Sequence, residues 1–248
     1  MRSGIVVASL AMVFVAGSAQ VATAQQDEPQ LQHVAEVHVK PGMQAQFEAG
    51  HVARNGRMTD ARVTFLNRAT TSESLVYRFT TPVGDWAGLG QRASEMAGMA
   101  PAAPGGPEAI DHVDTYLRWT RPDLTYIPAN PRLEGSEWQF LQRVRLYVRQ
   151  GKIGELTDLI SDAVALYTEH DSPARFNVSQ RALGADGPII EIFFFGSDGA
   201  DLYTEAAETQ GQMGAALDDI RTRAGLLCRR IEITNHDIRR DLAYQPPS

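Results

Sequence analysis

Cysteine is all but missing: Cys228 is the only one in 248 residues, so the chain cannot close an internal disulfide and must be held by packing. The six histidines, His33, His38, His51, His112, His170 and His236, show no His-x-x-x-His spacing and no Cys-x-x-Cys accompanies them, so no metal ligand is assigned. There is no Gly-x-Gly-x-x-Gly, no phosphate loop and no Gly-x-Ser-x-Gly elbow, and catalytic residues stay unknown. Basic runs are absent as well. The formal charge is −7, and because Arg2 is the only charged residue before Gln25, removing the first 24 residues leaves −8. That balance argues against nucleic acid and anionic membrane as partners.

Long apolar runs are also scarce. The one candidate, Ile5 to Ala16, follows Met1-Arg2-Ser3-Gly4 and precedes Val21-Ala22-Thr23-Ala24, which gives the three parts of a secretory leader cut after Ala24. It is too short to span a bilayer. The expectation is a mature, soluble protein in the periplasm or medium.

What the chain does contain is a repeated phrase. Arg121, Asp123, Leu124, Tyr126 and Pro128 recur as Arg239, Asp241, Leu242, Tyr244 and Pro246 at an offset of 118 residues. Upstream, Ala61 to Ala69 answers Ala174 to Ala182 at 113, and His38 to Gly42 answers Tyr147 to Gly151 at 109. A duplicated module leaves such a trace. The chain therefore divides into a leader (1–24), an N-terminal module with its tail (25–130) and a C-terminal module with its tail (131–248).

Each half has the same order of elements. Val34 to Val39 alternates like a half-exposed strand, Lys40-Pro41-Gly42 stops it, and residues 43–56 read as a helix. Strands follow at 62–68 and 75–79. A helix starts after Asp85, the Ala/Pro/Gly-rich stretch from 100 to 107 is a loop, and a strand runs from 112 to 119. The second half gives strands at 140–148, 175–181, 189–195 and 229–234, an apolar-striped helix from Ile153, and a helix over 200–224.

The order β-α-β-β-α-β is the ferredoxin-like arrangement, an antiparallel sheet with helices on one face, and a second copy can cover the other face. With Val39-Lys40-Pro41-Gly42 leading into a helix that bears Phe47, the chain resembles the dimeric α/β-barrel superfamily, most closely its antibiotic-biosynthesis-monooxygenase-like members. The resemblance spans about 33–119 and 139–235. It implies an α+β fold in which tandem ferredoxin-like modules form the barrel within one chain, a monomer with an internal pseudo-twofold axis.

Strand alternation puts Val37 and Val39 toward the helices, and Glu36, His38, Arg143, Arg145 and Tyr147 into the space between the sheets. These five either fix how the halves dock or line a pocket in the barrel centre. On the first helix His51, Arg54 and Asn55 share one face, at positions where the second module has Ile160, Ala163 and Val164. The superfamily binds ligands between helices and sheet, which makes this trio a candidate pocket wall, with Trp86 and Met96 as further ligand-binding candidates. The bland alternatives are that the trio meets water and that Trp86 and Met96 are core.

Glu48 and His51 have Glu-x-x-His spacing, but one copy without partners carries no metal argument. The duplicated tails read as pins for each module's C-terminus. The resemblance supports an exported binding protein for a small, largely apolar molecule, with a cofactor-independent monooxygenase-like enzyme as the alternative. Some relatives bind haem, and His51 is the available axial ligand, but the Asn and Trp of the haem-degrading members have no counterpart here. No cofactor is assigned.

Overall fold

The computed structural model describes residues 28–55, 65–70, 75–90, 106–184 and 186–243. The leader, Met96 and Tyr244 and Pro246 of the second tail lie outside the described residues. The first module comprises β1 (Leu31–Val39), α1 (Gln44–Asn55), β2 (Phe65–Thr70), β3 (Leu75–Gly84) and β4 (Ile110–Thr120), with residues 86–90 beginning a helix before β4. The second comprises β5 (Phe140–Val148), α2 (Ile153–Glu169), β6 (Phe176–Leu183), β7 (Ile189–Gly196), α3 (Gly199–Leu227) and β8 (Cys228–Ile238). The matched turns after β1 and β5 each place a glycine at positive φ, Gly42 at 77° and Gly151 at 75°, a conformation that side chains resist.

All pairings between strands are antiparallel, and the strands close into one barrel in the order β1-β3-β2-β8-β5-β7-β6-β4. Within each module the order is the ferredoxin-like one, β4-β1-β3-β2 and β8-β5-β7-β6. Each module's second strand then pairs with the other module's last strand, β2 with β8 and β6 with β4. Closure of two half-sheets within a single chain leaves no unpaired edge.

Three elements depart from the sequence expectation. β3 runs on through Thr80, Thr81 and Pro82 to Gly84, because this stretch still pairs with β1, Pro82 lying beside a register shift opposite Gln32. β8 continues through Asn235, His236 and Asp237 to Ile238, polar residues whose backbone finds partners in β5 and, at its end, in β2. The long helix α3 is bent at Gly214, whose φ of 50° and ψ of −126° interrupt the helical geometry.

The helix-facing sides of the strands carry the apolar core. In the second module Leu146, Val148, Phe176, Val178 and Ile190 meet Leu156, Leu159, Ile160, Met213 and Leu217, with Cys228 as a small buried member of the same cluster. The first module's cluster is smaller, with Val37, Val39, Leu66 and Tyr77 against Phe47. Tyr77 also donates a short hydrogen bond to Glu48.

The duplicated tails complete these clusters by exchange. Leu124 and Tyr126, which follow β4 of the first module, are buried in the core of the second, and Leu242, which follows β8 of the second, is buried in the core of the first. Both tails use the same local geometry: Arg121 N–H donates to the Val178 carbonyl and Leu124 N–H to the Arg121 carbonyl, while Arg239 N–H donates to the Leu66 carbonyl and Leu242 N–H to the Arg239 carbonyl. Each arginine grips the aspartate two residues on through two hydrogen bonds, at 2.8 and 2.7 Å for Arg121–Asp123 and 2.9 and 2.7 Å for Arg239–Asp241. The repeated phrase is a folded plug.

Leu124→Ala and Leu242→Ala are each expected to destabilise the protein by about 2–5 kcal/mol, the usual range for truncating a buried leucine. Urea unfolding checks this. A loss below about 0.5 kcal/mol in both variants would show that the tails lie on the cores without completing them.

Candidate ligand site

The strand faces turned away from the helices point into the barrel, and they are polar. β1 contributes Glu36, β3 Arg78 and Thr80, β4 Tyr116 and Arg118, β5 Arg143 and Arg145, β6 Ser179 and Arg181, β7 Glu191 and Phe193, and β8 Glu232, Thr234 and His236. The period of two brings these residues to one surface.

Burying ions is costly unless their hydrogen bonds are met, and here two carboxylates organise five guanidiniums. Glu36 Oε1 accepts from Arg78 Nε at 2.9 Å, Arg143 Nη1 at 2.7 Å, Arg145 Nη2 at 3.0 Å and the Tyr116 hydroxyl at 3.2 Å. Glu191, wholly enclosed, accepts from Arg145 Nε at 3.0 Å and Arg118 Nη1 at 3.3 Å, with Arg143 and Arg181 each at 3.5 Å. Burial pushes both carboxyls toward protonation, but the surrounding guanidiniums outweigh it and hold both below the usual carboxylate range. The Tyr116 hydroxyl is pushed up by burial and by Glu191, and so stays a neutral donor. The Arg181 guanidinium lies 3.5 Å from the centre of its ring.

At the Leu141 end the barrel opens into a cavity of about 1040 Å³. Phe65, Trp138, Leu141, Phe193 and Phe195 form apolar walls, Arg78, Asn67, Thr80, Arg118 and Ser179 form the inner end, and Asp123, Ala129 and Asp171 lie at the exposed mouth. Trp138 and Phe195 stack at 4.1 Å, and Arg175 lies over Trp138, 5.0 Å from its ring centroid. Several buried polar atoms have no hydrogen-bond partner among the described residues: Arg78 Nη1 and Nη2, Asn67 Oδ1 and Ser179 Oγ. All four belong to residues of the cavity's inner end. Arg78 is 1% exposed.

The residues singled out in the sequence fall into three places. Glu36, Arg143 and Arg145 meet inside the barrel, and Tyr147 joins them by accepting from Arg145 Nη1 at 3.3 Å and donating to Glu232 at 3.1 Å. His38 is at the opposite rim, its ring stacked on that of His112 at 3.9 Å. His51 and Asn55 are turned to the exchanged tail: both reach the Leu242 carbonyl, His51 Nε2 at 3.0 Å and Asn55 Nδ2 at 2.8 Å, while Arg54 is exposed. None of this helical trio lines the cavity. Trp86 is half exposed, edge-on to Trp119 at 6.0 Å, and Met96 lies outside the described residues.

Glu48, the other half of the Glu-x-x-His pair, is bound to Arg239 and held at about 2, chiefly by that hydrogen bond. The same tail contact settles how His51 stands toward haem. Its Nε2 is engaged by a backbone carbonyl, so the residues do not fit axial ligation.

His38, His112 and Asp114 do bring ligand atoms within 4.8 Å of one another, a grouping hidden in the sequence because it joins β1 to β4. The two imidazoles stack face to face, and His112 Nδ1 meets Asp111 Oδ2 at 2.8 Å. Sequence reasoning also missed Arg78, Arg118, Asn67, Ser179 and Glu191. The signal was there: Val76, Arg78 and Thr80, and Asp114, Tyr116 and Arg118, alternate along their strands as Glu36 and His38 do.

Comparison with solved structures covers nearly the whole chain. An anthrone oxidase-like protein superposes with a TM-score of 0.59 at 10% identity over 86% of this chain and 92% of that one. The fold is that of the dimeric α/β barrels. A putative monooxygenase from Fusobacterium nucleatum gives 0.54 at 9% identity, covering 85% and 92% of the two chains. Chlorite dismutase from Candidatus Nitrospira defluvii, in complex with imidazole, gives 0.51 at 9%, covering 88% and 95%. The dimeric α/β-barrel neighbours share the antiparallel eight-stranded barrel seen here. No family model and no curated protein matches the sequence.

A pH dependence follows from the buried histidines. His236 is held well below its ordinary 6.5 by burial and by Arg78 and Arg145, and His51 is lowered by burial against the partial offset of its bond to Leu242. Groups lowered in the folded state exclude protons there, so their stabilisation is complete above about 6.5 and is lost as pH falls below it. Denaturation midpoints are expected to drop between pH 7 and pH 5, and His236→Gln is expected to flatten that slope. An equal slope in the variant would assign the loss elsewhere.

Proposed function

We propose that this protein is exported and binds a small organic molecule in the barrel cavity. One observation carries the reading: a large cavity with aromatic walls ends on the buried guanidinium of Arg78, whose terminal nitrogens have no partner among the described residues. Pockets of this kind, apolar with a few placed polar groups, are the usual form of small-molecule sites. Trp138 in the wall gives the test. Titration with aromatic ligands is expected to quench tryptophan fluorescence saturably, and Trp138→Phe to remove most of the response. A full response in that variant would place binding at another site.

The second reading is a cofactor-independent oxygenase, favoured by likeness to a putative monooxygenase and an anthrone oxidase-like protein and by His236, a neutral buried imidazole behind the cavity lining, paired across the sheet with the wall residue Leu141, whose Nδ1 has no partner among the described residues. A neutral imidazole is a competent general base. In this reading oxygen is consumed when a bound quinol-type substrate is supplied, and an oxygen electrode measures it. No uptake with a ligand that binds leaves the protein a binder.

Export rests on the three-part leader. The mature protein is expected to begin at Gln25, and intact mass of periplasmic or secreted material checks it. A species retaining Met1 to Ala24 rules the leader reading out.

A further inference from the structure

We propose that the cavity selects an organic acid: a flat aromatic carboxylate enters carboxylate first, is bound end-on by Arg78 with Asn67 and Ser179 beside it, and leaves its rings against Trp138, Phe193 and Phe195. This rests on the reading of the cavity as a small-molecule site and names the class of molecule.

The first support is charge. The barrel interior holds five guanidiniums, Arg78, Arg118, Arg143, Arg145 and Arg181, which share three carboxylates, Glu36, Glu191 and Glu232, a net excess of two positive charges among these groups. Guanidinium does not shed its proton, so burial cannot relieve the excess by neutralisation. His236, its pKa lowered by burial and by Arg78 and Arg145, does not add to that excess. An excess of buried positive charge is stabilised by an anion.

The second support is where the unused donors are. Arg78 spends its Nε–H on Glu36 at 2.9 Å, and the two nitrogens at the far end of the guanidinium, Nη1 and Nη2, are buried and without partners. That end presents two roughly parallel N–H groups, the pattern that two carboxylate oxygens match. Ser179 Oγ is unpaired at the same end of the cavity and its hydroxyl can donate, while the unpaired Asn67 Oδ1 beside it is an acceptor. Leaving such donors dry costs free energy, and a bound acceptor offsets it.

The third support is the contrast along the cavity. Its walls are Phe65, Trp138, Leu141, Phe193 and Phe195, with Arg175 stacked on Trp138 and Arg121 also lining it, and Arg78 and Arg118 stand at the inner end. Arg118 lies 4.7 Å from the Phe193 centroid, so the cationic end and the aromatic wall meet there. A molecule with a charged head and a flat apolar body matches both. A free inorganic anion would satisfy the head and leave the walls in water.

Binding to the intact protein can be followed by calorimetry and Trp138 quenching with four ligands of one skeleton: 2-naphthoate, the neutral 2-naphthamide, 2-naphthyl phosphate and naphthalene-2-sulfonate. The acid is expected to bind about tenfold or more tightly than the amide, because hydrogen bonds to charged groups are worth more than neutral ones. Arg78→Met is expected to bring the acid's affinity down to the amide's. Glu36 keeps Arg143 and Arg145 in that variant, and Arg78→Lys, which retains charge but loses the paired donors, is expected to fall between. Equal affinity of acid and amide for the unaltered protein overturns the proposal while the cavity stands as a small-molecule site. Tighter binding of the phosphate or sulfonate overturns the choice of carboxylate. No quench by any of the four overturns both this inference and the reading on which it rests.

Discussion

The carboxylate of Glu36 is the contact on which the two halves depend. It stands on β1 of the first module and accepts from Arg78 of its own sheet and from Arg143 and Arg145 of the other. Removing one partner from a buried ionic cluster costs on the order of 3–5 kcal/mol, because the remaining charges stay in a dry interior. A shift of one residue along β1 would turn Glu36 outward and Val37 inward. The charge pairs therefore admit one register between the half-sheets, and the backbone pairing of β2 with β8 and β4 with β6 follows from that register.

Exchange of the tails ties the outer layer to the same arrangement. Leu124 and Tyr126 fill the helix-side core of the second module, Leu242 that of the first, and Glu48, His51 and Asn55 on α1 hold the second tail in place. Neither module closes its own core. The polar face of α1, which has no counterpart in α2, is thereby explained: it binds a carbonyl and an arginine of the chain itself, where α2 presents Ile160 to packed apolar side chains.

Function is then confined to what docking leaves unsatisfied. Most interior charges are consumed in holding the sheets together, and their geometry is complete. Arg78 and Arg181 are the exceptions: Arg78 serves Glu36 through Nε and leaves both terminal nitrogens without a partner among the described residues while lining the cavity beside Asn67 and Ser179, and Arg181 Nε is also without one. Arg78 thus belongs to both the structural cluster and the candidate site.

Residue patterns alone determined the duplication, the β-α-β-β-α-β order and the inward face of β1 and β5, since each depends on local period or on a repeated phrase. The turn glycines Gly42 and Gly151 and the strand β5 were legible for the same reason. The ends of β3 and β8 were not, because Thr80 to Gly84 and Asn235 to Ile238 are extended only through partners far along the chain. Nor was the role of His51 and Asn55, whose helical spacing marks a polar face but not what meets it. Only the tertiary structure decided that a tail 187 to 191 residues away bonds to that face, and that Arg78, Asn67 and Ser179 converge on one cavity. Barrel closure sets such distances, and closure is a property of the whole chain.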